Sequence, residues 1–267
     1  MSRSELGGIE EREHWIKDPD GGLFAKTWAP PKSASKPPVL LFHDSLGCVA
    51  LWRDFPSKLA ASLDRPVIAY DRLGFGRSDP LADRLEWAFI ANEARRSLPR
   101  LRADLGFSDF IACGHSVGGG MAIEAAAQAG PQCLAVVTIA AQAFVEDRTL
   151  EGLRRARSEF ALPDTMDRLA RYHGDKAAWV LHAWLDTWLS TDFADWSLEP
   201  ALRRVECPLL AIHGADDEYG SIEHPRRIAA GRGEMCILPG IGHTPHRECP
   251  DLLVETLDRF IRQKSVA

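Results

Sequence analysis

One serine stands in a turn that is otherwise almost free of side chains, in the stretch IACGHSVGGG at 111–120. Gly114 and Gly118 flank Ser116 in the pattern G-x-S-x-G, which typically places a hydroxyl on a strained turn between a strand and a helix. The glycines remove side chains that would collide there, and the helix N-terminus directs its amides at developing negative charge. The pattern predicts nucleophilic catalysis by Ser116. The alternative is a glycine-rich turn, of the kind that can bind phosphate.

A serine hydroxyl is a weak nucleophile unless a base accepts its proton, and that base needs an orienting carboxylate. Downstream, the segment PLLAIHGADDEYG carries Asp216 and Asp217 just after an apolar run. Further on, MCILPGIGHTPHR carries His243 after the next apolar run, with His246 as an alternative base. These residues complete the chain order serine, acid, histidine. The residues themselves leave open which of the two acids is used.

The elements that must position these residues alternate between short apolar runs and helix-like stretches. Continuous apolar runs of five to seven residues suit strands that are buried on both faces of a parallel sheet. We predict strands over 39–43, 67–71, 110–115, 135–141, 209–214 and 234–240. We predict helices over 52–63, 86–104, 117–129 and 250–263. A DPDGG turn at 18–22 indicates an early hairpin, and a proline- and serine-rich connector follows at 30–38. The alternation predicts an α/β fold with a doubly wound sheet and ligands at the carboxyl ends of its strands.

Residues 143–200 interrupt this alternation, because they contain charged, helix-compatible stretches and no strand-like run. We expect a helical cap inserted into a core formed by 1–142 and 201–267. Four of the eight tryptophans fall in the insertion, at 179, 184, 188 and 196. Trp184 and Trp188 are spaced to share one helix face. That face either packs the insertion onto the sheet or lines an apolar substrate pocket, and different rings can do each.

From about residue 20 to its end, the chain resembles the α/β-hydrolase fold family. The segment LLFHDSLG, followed by Trp52, is similar to the family's H-G-x loop, which donates one oxyanion-hole amide. DRLGFGRSDP at 71–80 resembles the family's D-x-x-G-x-G-x-S turn. GHTPHRECPDLLVETLDRFI resembles its terminal histidine loop and helix. The resemblance implies an α/β-hydrolase fold with a helical cap and a serine triad.

The resemblance also implies roles for single residues. The family's acid tends to fall three residues after the glycine of the H-G pair, which selects Asp217 over Asp216. His243 would be the base. His43 matches a loop histidine that is usually hydrogen-bonded and structural, and we expect the ring of His115 to point away into packing.

The oxyanion hole implied by the resemblance uses two backbone amides, those of Ser45 and Val117. Asp44 stands where the family usually has glycine, and a carboxylate there would oppose an oxyanion. We therefore expect Asp44 to point away or to pair, with Arg53 or Arg72 as candidate partners. Cys48 lies in the same loop, where it is either a packed thiol or a second nucleophile.

Composition narrows the range of partners. The chain has 267 residues, 45% of them hydrophobic and 26% charged, with a net charge of −6. No Lys or Arg run is dense enough to follow phosphates, so we expect neither nucleic acid nor membrane as a partner. The first fifteen residues lack the apolar segment of a secretory signal, and six scattered cysteines show no zinc-like spacing. We expect a cytoplasmic protein without disulfides or metal.

These observations predict a cofactor-independent serine hydrolase that acts on a small or medium acyl substrate, most simply a carboxylic ester. A C–C bond hydrolase or a perhydrolase could use the same three residues. A small-ligand receptor that does not turn its ligand over is the alternative from another class. The sequence leaves the substrate and the oligomeric state open.

Overall fold

A mostly parallel sheet organises the chain, and its central strands are the predicted apolar runs. A computed structural model describes residues 8–17, 20–31, 33, 35–81, 83–231 and 233–264. The strands are β1 Glu10–Ile16, β2 Leu23–Ala29, β3 Val39–Phe42, β4 Val67–Tyr70, β5 Phe110–His115, β6 Cys133–Ile139, β7 Leu209–Gly214 and β8 Glu234–Leu238. Their order in the sheet is β1-β2-β4-β3-β5-β6-β7-β8. The pairs β1–β2 and β2–β4 are antiparallel, and the other neighbours are parallel.

Helices cover both faces of this sheet, which explains why the central strands are apolar throughout. The helices are α1 Phe55–Leu63, α2 Phe89–Leu105, α3 Val117–Ala129, α4 Asp147–Phe160, α5 Pro163–His173, α6 Ala177–Trp188, α7 Glu199–Leu202, α8 Glu223–Ile228, α9 Pro245–Glu248 and α10 Pro250–Gln263. Leu40 and Phe42 of β3 join the core beneath α2 and α3. The alternate residues Val39 and Leu41 join the core beneath α1 and α10. Burial on both faces of one strand is the arrangement that a parallel sheet requires.

The sheet and its helices confirm the predicted fold class, with differences at element ends. The early hairpin is present as β1 and β2, whereas residues 18 and 19 of its predicted turn and residues 32 and 34 of the connector lie outside the described residues. Helix α1 begins at Phe55 and not at 52, because Trp52 ends a 3-10 helix and the next residue, Arg53, has a positive φ of 55°. Strand β6 ends at Ile139 and not at 141, because Ala140 turns the chain with a φ of 49°.

Helices α4, α5 and α6 occupy the region between β6 and β7 in which we predicted an insertion. The two ends of this segment meet: Phe144 and Ser197 form an isolated antiparallel bridge. The amide of Leu198 also donates a hydrogen bond to the carbonyl oxygen of Ala143, at 2.8 Å. The segment therefore leaves the sheet and returns to it at one place.

Within the described part of the chain, no helix combines the length and the apolar character needed to cross a bilayer.

Candidate active site

Ser116 occupies a strained turn between β5 and α3. Its backbone has φ 55° and ψ −127°, a conformation that residues with a side chain rarely adopt. A Cβ atom on Gly114 would overlap the backbone of Gly118, and one on Gly118 would overlap the backbone of Phe42. Only glycine therefore allows α3 to start this close to the ends of β3 and β5. The strain lifts the Ser116 side chain above the carboxyl edge of the sheet.

Three side chains from distant parts of the chain meet at this edge. The Nε2 atom of His243 lies 3.1 Å from the hydroxyl oxygen of Ser116. The Nδ1 atom of His243 lies 2.8 Å and 3.0 Å from the two carboxylate oxygens of Asp217. The amides of Tyr219 and Gly220 donate hydrogen bonds to Asp217 Oδ1, at 2.8 Å and 3.1 Å. The carboxylate is thus held in place by its own loop while it faces the imidazole.

The adjacent acids in this loop differ in environment. Asp217 is buried, whereas the neighbouring Asp216 and Glu218 are exposed. The structure therefore brings Asp217, and not Asp216, into contact with His243.

Burial and charge act in opposite directions on the Asp217–His243 pair. Burial lowers the pKa of His243, but the charge and the hydrogen bond of Asp217 outweigh burial, so the pKa lies above the usual 6.5. Burial raises the pKa of Asp217, but the charge and hydrogen bond of His243 outweigh it, so the pKa lies below the usual 3.8. The pair therefore favours an ionised carboxylate beside an imidazole that readily accepts a proton.

The loop aspartate has a partner that the sequence analysis did not predict. Asp44 Oδ2 lies 3.1 Å from Nδ1 of His115, and Asp44 Oδ1 accepts a hydrogen bond from the amide of Leu46, at 2.9 Å. Arg72 donates to the backbone oxygen of Asp44, at 2.9 Å, and not to its carboxylate. The expected pairing with Arg53 or Arg72 was therefore wrong. The reason is register: Phe42 and Gly114 are paired in adjacent strands, so the residues that follow them are neighbours.

His115 does more than pack, which corrects the expectation for its ring. Its Nε2 atom lies 2.7 Å from the backbone oxygen of His243. The ring also lies 4.6 Å from that of His246, between centroids. His115 therefore links the loop at Asp44 to the backbone of the histidine that contacts Ser116. Burial raises the pKa of Asp44, but the hydrogen bond and charge of His115 outweigh it and hold the pKa well below its usual range.

The two residues predicted to supply oxyanion-hole amides lie in different elements. Ser45 lines the cavity above Ser116. Val117 is the first residue of α3, so its amide has no acceptor within the helix. The neighbouring amides of Leu46 and Gly47 are already used, because both donate to Asp44.

The other candidate residues of the sequence analysis, His43, His246 and Cys48, are hydrogen-bonded or buried. His43 donates from Nδ1 to the backbone oxygen of Asp44, at 2.8 Å, and accepts from the amide of Arg72, at 3.1 Å. It is hydrogen-bonded as expected. The ring of His246 is buried against Trp52, with 4.9 Å between centroids. Cys48 is also buried, and burial raises the pKa of its thiol to about 12, so the nucleophilic thiolate is disfavoured there.

A cavity of about 370 Å³ lies above Ser116. Trp184 and Trp188 of α6 line it, whereas Trp196 packs against Trp188 and Trp179 packs against Phe75. Different tryptophans therefore line the cavity and pack against other aromatic rings, and use of the cavity by a substrate stays a prediction. The insertion contributes part of the cavity wall.

Sequence reasoning missed several residues that line this cavity. Gln142 Oε1 lies 3.3 Å from the hydroxyl oxygen of Ser116. Gln142 follows the end of β6 by three residues, so its place at the carboxyl edge of the sheet was the available signal. Two arginines were also missed, Arg168 on α5 and Arg247 on α9. The signal for Arg168 was its place on one helix face with other cavity-lining residues. The signal for Arg247 was its position only four residues after His243 in the sequence.

No group of three or more His, Cys, Asp or Glu side chains in the described ranges is arranged to hold a metal ion.

Comparison with known proteins agrees with the fold. A model of the alpha/beta hydrolase family matches residues 39–256. This range contains the turn at Ser116, the acid loop and the loop of His243. The chain belongs to the alpha/beta hydrolase family.

Individual relatives within this family differ in activity. The chain is 36% identical to 1-acylglycerol-3-phosphate O-acyltransferase ABHD5 of Rattus norvegicus over 89 residues, which are 33% of this chain and 25% of that protein. It is 30% identical to proline iminopeptidase of Lactobacillus delbrueckii subsp. lactis over 92 residues, which are 34% of this chain and 31% of that protein. The chain thus matches only a third or less of the length of these curated relatives.

A solved structure of a bacterial membrane phospholipase A, described as a virulence factor, superposes with a TM-score of 0.75. The match has 21% sequence identity and covers 98% of this chain and 89% of that one. At this identity the likeness supports the fold.

Proposed function

We propose that the protein is a cofactor-independent serine hydrolase that cleaves a carboxylic ester through an acyl-enzyme on Ser116. The observation that carries the proposal is the continuous contact from the Ser116 hydroxyl through His243 to Asp217, with distances of 3.1 Å and 2.8 Å. This geometry suits proton transfer from a hydroxyl to an imidazole.

In the proposed mechanism, His243 accepts the Ser116 proton as the hydroxyl oxygen attacks the ester carbonyl carbon. The proton then passes to the departing alkoxide, so the alcohol leaves and an acyl-serine remains. His243 next takes a proton from water as the water oxygen attacks the acyl carbon of the acyl-serine. The proton then passes to the Ser116 oxygen as its bond to the acyl carbon breaks, which releases the acid and restores the hydroxyl. Asp217 keeps Nδ1 of His243 protonated and stabilises the imidazolium without accepting its proton.

The amides of Ser45 and Val117 are the proposed donors to the oxyanion. The cavity position of Ser45 and the helix-start position of Val117 support this role. Asp44 is compatible with it, because its carboxylate is engaged by His115 and by the amide of Leu46. Its negative charge is thereby partly offset before any oxyanion forms.

We propose that residues 143–200 form a cap over a core made of 1–142 and 201–267. The contact between the two ends of the insertion and the cavity-lining helices α5 and α6 support this division. The cap would shape a pocket for a small or medium acyl substrate. A reducing, cytoplasmic setting is part of the proposal, because the six cysteines lie far apart in the sequence.

Active-site labelling tests the nucleophile. A fluorophosphonate probe should label the wild-type chain covalently, and peptide mapping should find the label on Ser116. Ser116→Ala should not be labelled, while Ser158→Ala should be labelled like the wild type, because Ser158 is an exposed residue of α4 outside the cavity lining. Labelling that persists in Ser116→Ala would contradict the assignment.

A panel of p-nitrophenyl esters with increasing acyl length tests the reaction. Turnover that is lost in Ser116→Ala and in His243→Ala supports ester hydrolysis. Labelling of Ser116 without turnover of any ester would instead favour C–C bond cleavage by the same three residues.

A further inference from the structure

The cavity above Ser116 is mostly apolar but contains two arginines. Its apolar wall includes Leu46, Leu51, Leu153, Phe160 and Leu169, together with the rings of Trp184 and Trp188. Histidines aside, the charged residues that line it are Asp44, Arg168 and Arg247. An apolar site with a few placed charges typically selects a ligand that has both kinds of group.

Arg168 lies on the cavity-facing side of α5. The residues of this helix that line the cavity are Thr165, Arg168, Leu169 and Tyr172. Their spacing of three, four and seven residues defines one face of a helix. Arg168 donates one hydrogen bond to the hydroxyl of Thr165, at 3.2 Å. A guanidinium has five N–H donors, so most of those of Arg168 remain available for a ligand.

Arg247 reaches the same cavity from the core, four residues after His243. It is half-buried, and its Nε atom donates to the backbone oxygen of Leu51, at 3.3 Å. This hydrogen bond orients the side chain but uses only one donor. The two arginines therefore bring donors from α5 and α9 to one cavity.

The nearby carboxylates make their hydrogen bonds to other groups, and the charge of Arg247 also lowers the pKa of Asp44. Asp44 is bonded to His115 and to the amide of Leu46. Glu248, adjacent to Arg247, accepts hydrogen bonds from the amides of Gly242 and Thr244, at 2.8 Å and 2.9 Å. Across the described residues, neither Arg168 nor Arg247 forms an ion pair with an acidic side chain. With histidines neutral, two arginines and one aspartate give the cavity lining a formal charge of +1, in a chain whose net charge is −6.

We propose that the cavity binds an acyl substrate that carries a carboxylate, and that Arg168 and Arg247 are specificity-determining residues for this anion. The inference rests on the proposed ester hydrolysis at Ser116 and names its substrate class. Arginine binds a carboxylate through paired N–H donors. Apolar surroundings strengthen such bonds at the half-buried Arg247 more than at Arg168, which is exposed. The rest of the acyl chain would contact the leucines and tryptophans.

Two esters of equal acyl length test this inference by turnover. Mono-p-nitrophenyl glutarate ends in a carboxylate, and p-nitrophenyl pentanoate ends in a methyl group. We expect wild type to have a kcat/KM about tenfold or more higher for the glutarate ester, the factor that one hydrogen bond to a charged group provides. Arg168→Gln and Arg247→Gln should each lower this ratio by about tenfold.

Arg157→Gln is the matched control, because it removes the same charge from an exposed position of α4 outside the cavity lining. It should keep the wild-type ratio. A ratio near one in wild type, or a ratio that neither cavity variant changes, overturns the inference while leaving ester hydrolysis intact.

Binding without turnover separates the two proposals. Isothermal titration of Ser116→Ala with both esters should give a Kd about tenfold lower for the glutarate ester. Two double variants, Ser116→Ala with Arg168→Gln and Ser116→Ala with Arg247→Gln, should lose that preference. Equal binding of the two esters, or binding of neither, overturns the inference. Failure of the proposed hydrolysis is detected independently, by the absence of fluorophosphonate labelling at Ser116.

Discussion

Two carboxylate–imidazole pairs, whose imidazoles both line the cavity, have different surroundings. In the first, Asp217 lies 2.8 Å from Nδ1 of His243, whose Nε2 faces the Ser116 hydroxyl at 3.1 Å. In the second, Asp44 lies 3.1 Å from Nδ1 of His115, whose Nε2 faces a backbone carbonyl at 2.7 Å. A hydroxyl can donate or accept a hydrogen bond, whereas a carbonyl can only accept. The Nε2 atom of His115 therefore faces a group that has no proton to give up.

The comparison shows that residue type alone does not define a proton-transfer site. His243 can change its protonation at Nε2 because its partner there can give up a proton. His115 must keep its Nε2 proton to satisfy the carbonyl oxygen of His243. The first pair is suited to chemistry, and the second holds the Asp44 loop and the His243 backbone together.

Replacing the aspartate of each pair with asparagine should give the largest difference between the pairs, measured as the loss of kcat. Asp217→Asn should lower kcat for an ester by about 10⁴-fold, because an amide that donates to Nδ1 leaves the proton on the wrong nitrogen of His243. Steady-state kinetics with p-nitrophenyl esters measures the loss, and a thermal melt establishes that the variant is folded. A loss below about tenfold would show that Asp217 does not orient the base.

Asp44→Asn should have a smaller effect on the same reaction. Loss of the carboxylate weakens the contacts to Leu46 and His115, and so loosens the loop that carries Ser45. Removing an oxyanion-hole donor outright costs about 10²–10³-fold in kcat, so displacing one should cost about tenfold. If Asp44→Asn reduced kcat as much as Asp217→Asn does, the distinction between the pairs would be wrong.

The pH dependence should give the smallest and most specific difference. The pKa of His243 is raised above 6.5, so its neutral form and with it kcat/KM should decline as the pH falls through a value above 6.5. The charge of Asp44 also raises this pKa. Asp44→Asn should therefore move the acid limb to lower pH, while Asp54→Asn, a surface control on a residue that is not part of the cavity lining, should leave it unchanged. A wild-type midpoint below 6.5 would contradict the raised pKa.

The sheet and the turn at Ser116 were predictable because they depend on local signals. The predicted apolar runs of five to seven residues overlap strands β3 to β8, and the glycines around Ser116 mark a backbone conformation that side chains would obstruct. Element ends were less predictable. Arg53 and Ala140 break their elements through a positive φ, for which neither residue type is a signal.

The surroundings of the site depended on contacts between residues far apart in the chain. Asp44 and His115 are 71 positions apart, and no spacing rule connects them. Their contact follows from the pairing of β3 with β5, which places the loop after β3 beside the turn at Ser116. The same holds for Gln142, which approaches Ser116 only because β6 lies next to β5.

The sequence by itself determined where the central strands and helices lie along the chain and the strained turn at Ser116, since each follows from neighbouring residues. It also determined the chain order of the proposed nucleophile, acid and base. Only the tertiary structure decided that Asp44 meets His115, and which arginines line the cavity. Hydrophobic periodicity specifies which face of an element is buried, but the partner of a polar side chain is set by how the elements pack together.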